Sequence, residues 1–108
     1  YSGVLLDPAV FGGVKDPQAF AVKVKGDSMM PDFAQGEIVL CSPSAEHEPG
    51  MYGVFRLDDG QCGLKVIDAG SSPGMVKLIS LNNRYAPREV PEDSIVRLAR
   101  AVAKTTIL

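Results

Sequence analysis

Residues 20–31 read FAVKVKGDSMMP, and the change of character halfway along this stretch decides the fold. From Ala21 onward apolar and polar residues alternate, which sets Phe20, Val22 and Val24 on one face of a β-strand. The run stops at Gly26, a residue that lets the chain turn sharply. The polar pair Asp27 and Ser28 follows at once, with apolar Met29 and Met30 beyond. A strand therefore ends in a turn that carries a hydroxyl group, beside backbone N–H groups released from ladder bonding.

The same grammar of short runs and turn signals extends outward. Residues 37–41, EIVLC, follow Gly36 as a second strand, and a loop over 42–50 contains Pro43 and Pro49. Residues 52–57, YGVFRL, run into Asp58, Asp59 and Gly60, a hairpin signal, with 61–67, QCGLKVI, as the returning strand. A Gly/Ser/Pro turn at 68–74 leads to a strand over 76–81 that ends at Asn82 and Asn83. In residues 94–102 the β-branched content favours strand over the helix that the alanines would permit. Helical signal is confined to a short turn over 28–33, which Ser28 could cap. Residues 1–19 contain Gly3, Pro8, Gly12, Gly13 and Pro17 and no 3.6-residue period. They are expected to form an extended arm or linker remnant ahead of a domain over 20–108. The fold class is mostly β with one compact core.

At 108 residues the chain is one domain's worth, and 45% hydrophobic with 22% charged residues suits an ordinary globular fold. A net charge of -2 argues against an autonomous DNA binder, which carries a clustered basic face. No apolar run reaches the ~20 residues needed to span a bilayer, so no membrane role is expected. Cys41 and Cys62 lie in apolar runs and read as two small buried hydrophobes of a reducing cytosol. His47 stands alone in a polar loop, and no Cys/His cluster suggests a metal site, so neither metal nor cofactor is expected. The first residue is Tyr1 rather than Met, which leads us to expect an excised domain.

Ser28 has two readings. It is either a cap following a glycine turn, or a nucleophile beside N–H groups able to stabilise an oxyanion. A serine nucleophile needs a base, and the isolated His47 makes a Ser-His-Asp triad unsuited to this chain. Lys15, Lys23, Lys25, Lys77 and Lys104 occupy polar slots or run ends and read as solvated. Lys65 differs, because Leu64 precedes it and Val66 and Ile67 follow it in an apolar strand. It is either an outward-facing surface lysine or a partly buried one. Burial matters chemically, since at pH 7 only about four in ten thousand ordinary lysines are neutral. Desolvation lowers that pKa and makes a competent base.

Taken in order, these pieces resemble the S24 peptidase family, which includes LexA, phage repressor C-terminal domains and UmuD. Residues 20–31 resemble that family's strand leading into its G-x-S-M nucleophile motif, with Gly26 and Met29 at the motif glycine and methionine. Residues 32–39, DFAQGEIV, resemble the segment where a Gly-Asp or Gly-Glu pair opens the next strand. Residues 50–55, GMYGVF, resemble the strand after it. Leu64, Lys65 and Val66 resemble the lysine strand, 37 positions after Ser28. Residues 78–87, LISLNNRYAP, resemble the family's asparagine-rich turn. The resemblance spans about residues 19–104.

It implies a mostly β domain shared with signal peptidases and a Ser–Lys dyad with Ser28 as nucleophile and Lys65 as base. The backbone N–H groups of Asp27 and Ser28 would form the oxyanion hole, and Met29 would serve packing. It also implies a cytoplasmic, homodimeric repressor domain that cuts its own linker in the DNA-damage (SOS) response. The cut falls at an Ala-Gly or Cys-Gly bond when a RecA filament on single-stranded DNA stimulates it. DNA would be bound only through an N-terminal helix-turn-helix domain outside this chain. A UmuD-like subunit of an error-prone polymerase, and a dimerisation module with little peptidase activity, are the alternatives. No Ala-Gly or Cys-Gly pair precedes Ser28, so the cut bond is expected upstream of Tyr1. Gly63 also departs from the pattern, since many relatives carry a hydroxyl residue two positions before the lysine.

Overall fold

A computed structural model describes residues 2–4, 18–46 and 48–105. Among these residues the chain forms eight strands: β1 (Ser2–Val4), β2 (Phe20–Lys23), β3 (Ile38–Ser42), β4 (Met51–Leu57), β5 (Cys62–Ala69), β6 (Met75–Ile79), β7 (Arg88–Pro91) and β8 (Ile95–Thr105). A single 3-10 turn, Glu92–Ser94, joins the last two. The mostly β class expected from the residue pattern is the observed one, and it is consistent with the domain that the resemblance implies. All strand pairs are antiparallel, in the order β1-β2-β3-β8-β4-β5-β6-β7.

Two strands were not expected. Within the segment 1–19, β1 pairs along β2, with Ser2 opposite Lys23 and Val4 opposite Ala21. Tyr1 and residues 5–17 of the expected arm lie outside the described residues, as does His47. The other unexpected strand is β7, whose charged pair Arg88 and Glu89 and terminal Pro91 give no apolar alternation. It survives at the sheet edge, where a proline needs no ladder partner. The expected helical turn at 28–33 is a pair of turn hydrogen bonds rather than a helix, Met30 N–H to Asp27 O (3.1 Å) and Phe33 N–H to Met29 O (2.9 Å).

β8 holds the sheet together. Its first half pairs with β4 and its second half with β3, and Arg100 has a partner on each side, Gly53 and Ser42. The register slips twice. Leu40 faces Ala103 while Cys41 faces Ala101, and Arg56 faces Arg97 while Leu57 faces Ile95. Val102 and Val96 are thus the extra residues of two β-bulges, which bend a strand and increase its twist. That bend lets one long strand serve two sheet halves.

β3 is buried along its whole length. Val39 and Cys41 join Val22, Val24, Met29, Phe33, Val54 and Ala99 in one cluster, while Leu40 packs with Ala21 and Ile38 in another. A third cluster unites Phe55, Leu57, Ile67, Leu78 and Val90. The face expected for Phe20, Val22 and Val24 is the one that packs into the first cluster. Each fully buried Val or Leu contributes roughly 1.5–3 kcal/mol relative to exposure, which ties the loop carrying Met29 to the best-packed part of the molecule.

Candidate active site

β2 delivers the chain to the loop that carries Ser28. The neck of the loop is closed by Val24 N–H to Glu37 O (2.9 Å) and Gly36 N–H to Val24 O (3.0 Å). Gly26 turns the backbone at φ 77°, a conformation that L side chains rarely adopt. Met29, 2% exposed, then plugs the core, so its neighbour Ser28 is held at the surface of a packed unit.

Lys65 projects from β5, opposite Gly53 of β4. Its Nζ donates a hydrogen bond to Ser28 Oγ at 2.8 Å. Of the two readings each residue carried, the structure shows Lys65 partly buried and in contact with Ser28. Burial pushes the Lys65 ammonium pKa below its ordinary value. Gly63 does not prevent this approach. It lies opposite Phe55, whose ring sits 3.4 Å from where a Cβ would be.

The backbone N–H groups of Asp27 and Ser28 donate to no backbone carbonyl among the described residues. Ser28 lines a cleft of about 660 Å³ whose other walls include Met29, Leu64, Lys65 and Tyr85. Chemically, the arrangement offers a hydroxyl, an adjacent amine of weakened basicity and backbone donors beside a space that a peptide can enter.

A turn after β6 completes the wall. Asn82 N–H donates to Ser28 O (2.9 Å), and Asn82 Nδ2 donates to Asp27 O (3.1 Å). Tyr85 Oη donates to Asp27 Oδ1 at 2.7 Å, and its ring centroid lies 5.9 Å from Lys65 Nζ. The residue pattern marked this turn as asparagine-rich but gave it no role. Its partners lie 55 and 58 positions away, and no local spacing links them.

Two expectations need correction. Cys41 is buried, with its thiol pKa pushed up to about 12 by desolvation, but Cys62 is exposed. Cys62 begins β5 opposite exposed Arg56 and lines the cleft, because the strand opens to solvent just after the hairpin turn. Lys104 is not simply solvated. It forms an ion pair with Glu37 Oε2 (3.4 Å), donates to Asp32 O, and lies 5.4 Å from the Phe33 ring centroid. Glu37, buried, also accepts the Ala34 N–H at 2.6 Å, so this cluster braces the far side of the Ser28 loop. Tyr52 joins it through Asp32 Oδ2, and that hydrogen bond raises the tyrosine pKa.

The fold and the juxtaposed hydroxyl and amine describe a domain of the serine-peptidase type. Residues 4–102 match the family described as Peptidase S24-like, and the chain belongs to that family. No curated protein matches the chain. Among the described residues, no helix is long and apolar enough to cross a membrane.

Proposed function

We propose that the domain is a self-cleaving serine peptidase with Ser28 as nucleophile and Lys65 as general base. The observation that carries this reading is the 2.8 Å contact between Lys65 Nζ and Ser28 Oγ at a half-buried lysine. In its neutral form Lys65 takes the Ser28 proton while Oγ bonds to the peptide carbonyl carbon. The carbonyl oxygen becomes an oxyanion held by the N–H groups of Asp27 and Ser28. The carbon–nitrogen bond then breaks, and the Lys65 ammonium returns the proton to the leaving amine. Water hydrolyses the acyl ester, with Lys65 again as base. A substrate tethered to the same chain supplies a high effective concentration, so a modest site suffices.

The family resemblance supports the biological frame: the C-terminal domain of a cytoplasmic LexA-like repressor, homodimeric, cutting its own upstream linker under RecA-filament stimulation. In a precursor that carries the upstream segment, Ser28→Ala and Lys65→Ala should each slow self-cleavage by at least about a hundredfold while circular dichroism remains that of the parent. Cleavage at the parental rate in either variant would remove the dyad from the mechanism.

A further inference from the structure

We infer that the 82–85 turn is a positioning device that aims the Ser28 N–H, one of the two oxyanion donors; this rests on the Ser28 and Lys65 reading above. The peptide unit between Asp27 and Ser28 is planar, so its C=O and N–H point in opposite directions along one rigid group. Asn82 Nδ2 holds the Asp27 carbonyl oxygen at 3.1 Å. Fixing that carbonyl fixes the direction of the Ser28 N–H on the opposite edge. The next peptide unit is fixed in the same way, because Asn82 N–H donates to the Ser28 carbonyl at 2.9 Å. Both peptide planes that flank the nucleophile are therefore set by one residue.

Tyr85 controls the remaining freedom. An aspartate side chain readily folds back onto backbone N–H groups one or two positions on. Here that would place a carboxylate where the oxyanion must form. Tyr85 Oη engages Asp27 Oδ1 at 2.7 Å and turns the carboxylate toward the turn. The turn is itself locked, by Tyr85 N–H to Asn82 O (3.1 Å) and Arg84 N–H to Asn82 Oδ1 (3.1 Å). Asn82 and Tyr85 thus act through Asp27 and Ser28 and need not touch substrate.

A fluorophosphonate probe tests this on the whole chain. Ser28 Oγ attacks phosphorus, the P–F bond breaks, fluoride leaves, Lys65 takes the proton, and the phosphoryl oxygen occupies the oxyanion hole. The labelling rate is followed against pH for the parent, Ser28→Ala, Asn82→Ala and Tyr85→Phe. Tyr85→Phe keeps the ring near Lys65 and deletes only an exposed hydroxyl. We expect both turn variants to lower the high-pH plateau by at least about tenfold, with the pH midpoint unmoved because Lys65 keeps its surroundings. Labelling at the parental rate, or a shifted midpoint with the parental plateau, overturns the positioning role while leaving the dyad in place. A parent that is not labelled, or a Ser28→Ala variant labelled equally well, overturns the dyad reading and the positioning role with it.

Discussion

Lys65 pairs two opposing demands, and their balance is readable as a function of pH. Burial disfavours its ammonium form, so its folded pKa lies below its ordinary value of 10.5. Below the folded pKa, the fraction of neutral lysine and with it the cleavage rate should climb about tenfold per pH unit, then level above it; a flat rate profile would exclude a lysine base. Stability follows the same titration. Between the two pKa values the unfolded chain holds a proton that the folded chain has lost, so stability rises with pH through that window. The cost of the buried ammonium is fully present below the folded pKa. Lys65→Met should therefore raise the melting temperature at neutral pH, and the gain should shrink toward the ordinary lysine pKa. A gain constant across pH would place its origin in packing instead. Ser28 and Lys65 were legible because each breaks the pattern around it, a hydroxyl at the end of a strand and a cation within an apolar run. Asn82 and Tyr85 were not, since their hydrogen bonds to Asp27 exist only once β6 has been folded back beside the Ser28 loop.

At the scale of elements, legibility tracks turn chemistry. The Asp58, Asp59, Gly60 signal yields the β4–β5 hairpin it announces, closed by Leu57 N–H to Gln61 O (2.7 Å) and by Asp59 Oδ1 accepting the Gln61 N–H (2.9 Å). The β5–β6 connection was equally visible, but the tightness of its packing was not. Gly70 N–H donates to Met75 O (2.9 Å), and a Cβ at Gly70 would lie 2.6 Å from Met75 Cβ and 2.7 Å from its carbonyl carbon. Backbone atoms cannot yield as a flexible side chain can. Gly70→Ala should cost about 1–3 kcal/mol through overpacking, lowering the urea midpoint with the slope unchanged. At Gly63 the nearest atoms are ring carbons of Phe55 at 3.4 Å, so Gly63→Ala should cost under about 1 kcal/mol. Equal losses at the two sites would show that contact distance does not govern them. β7 escaped the sequence for the complementary reason. Its place is set by pairing with β6, Val76 opposite Val90 and Leu78 opposite Arg88, rather than by any period of its own.

For the whole molecule the decisive feature is β8, a strand in mid-sheet that is nonetheless paired on only one edge in each half among the described residues. Its two bulge residues are also among the most exposed large apolar side chains, Val96 at 59% and Val102 at 40%. A bulged edge resists indiscriminate strand pairing, yet exposed branched side chains on it gain by being covered in one specific geometry. That combination supports the proposed homodimer, with β8 of each protomer contributing to the contact. Sedimentation velocity over a dilution series should then show self-association, and Val102→Lys should weaken it by about fivefold or more, since truncating a buried interface anchor costs upward of 1 kcal/mol. The substitution lies on an exposed side chain, so the melting temperature measured at a dilution where the protein is monomeric should hold. An undiminished dimer in Val96→Lys and Val102→Lys alike would move the interface off β8. A monomer at every concentration would instead leave the two valines as the surface cost of a strand bent twice to join two sheet halves.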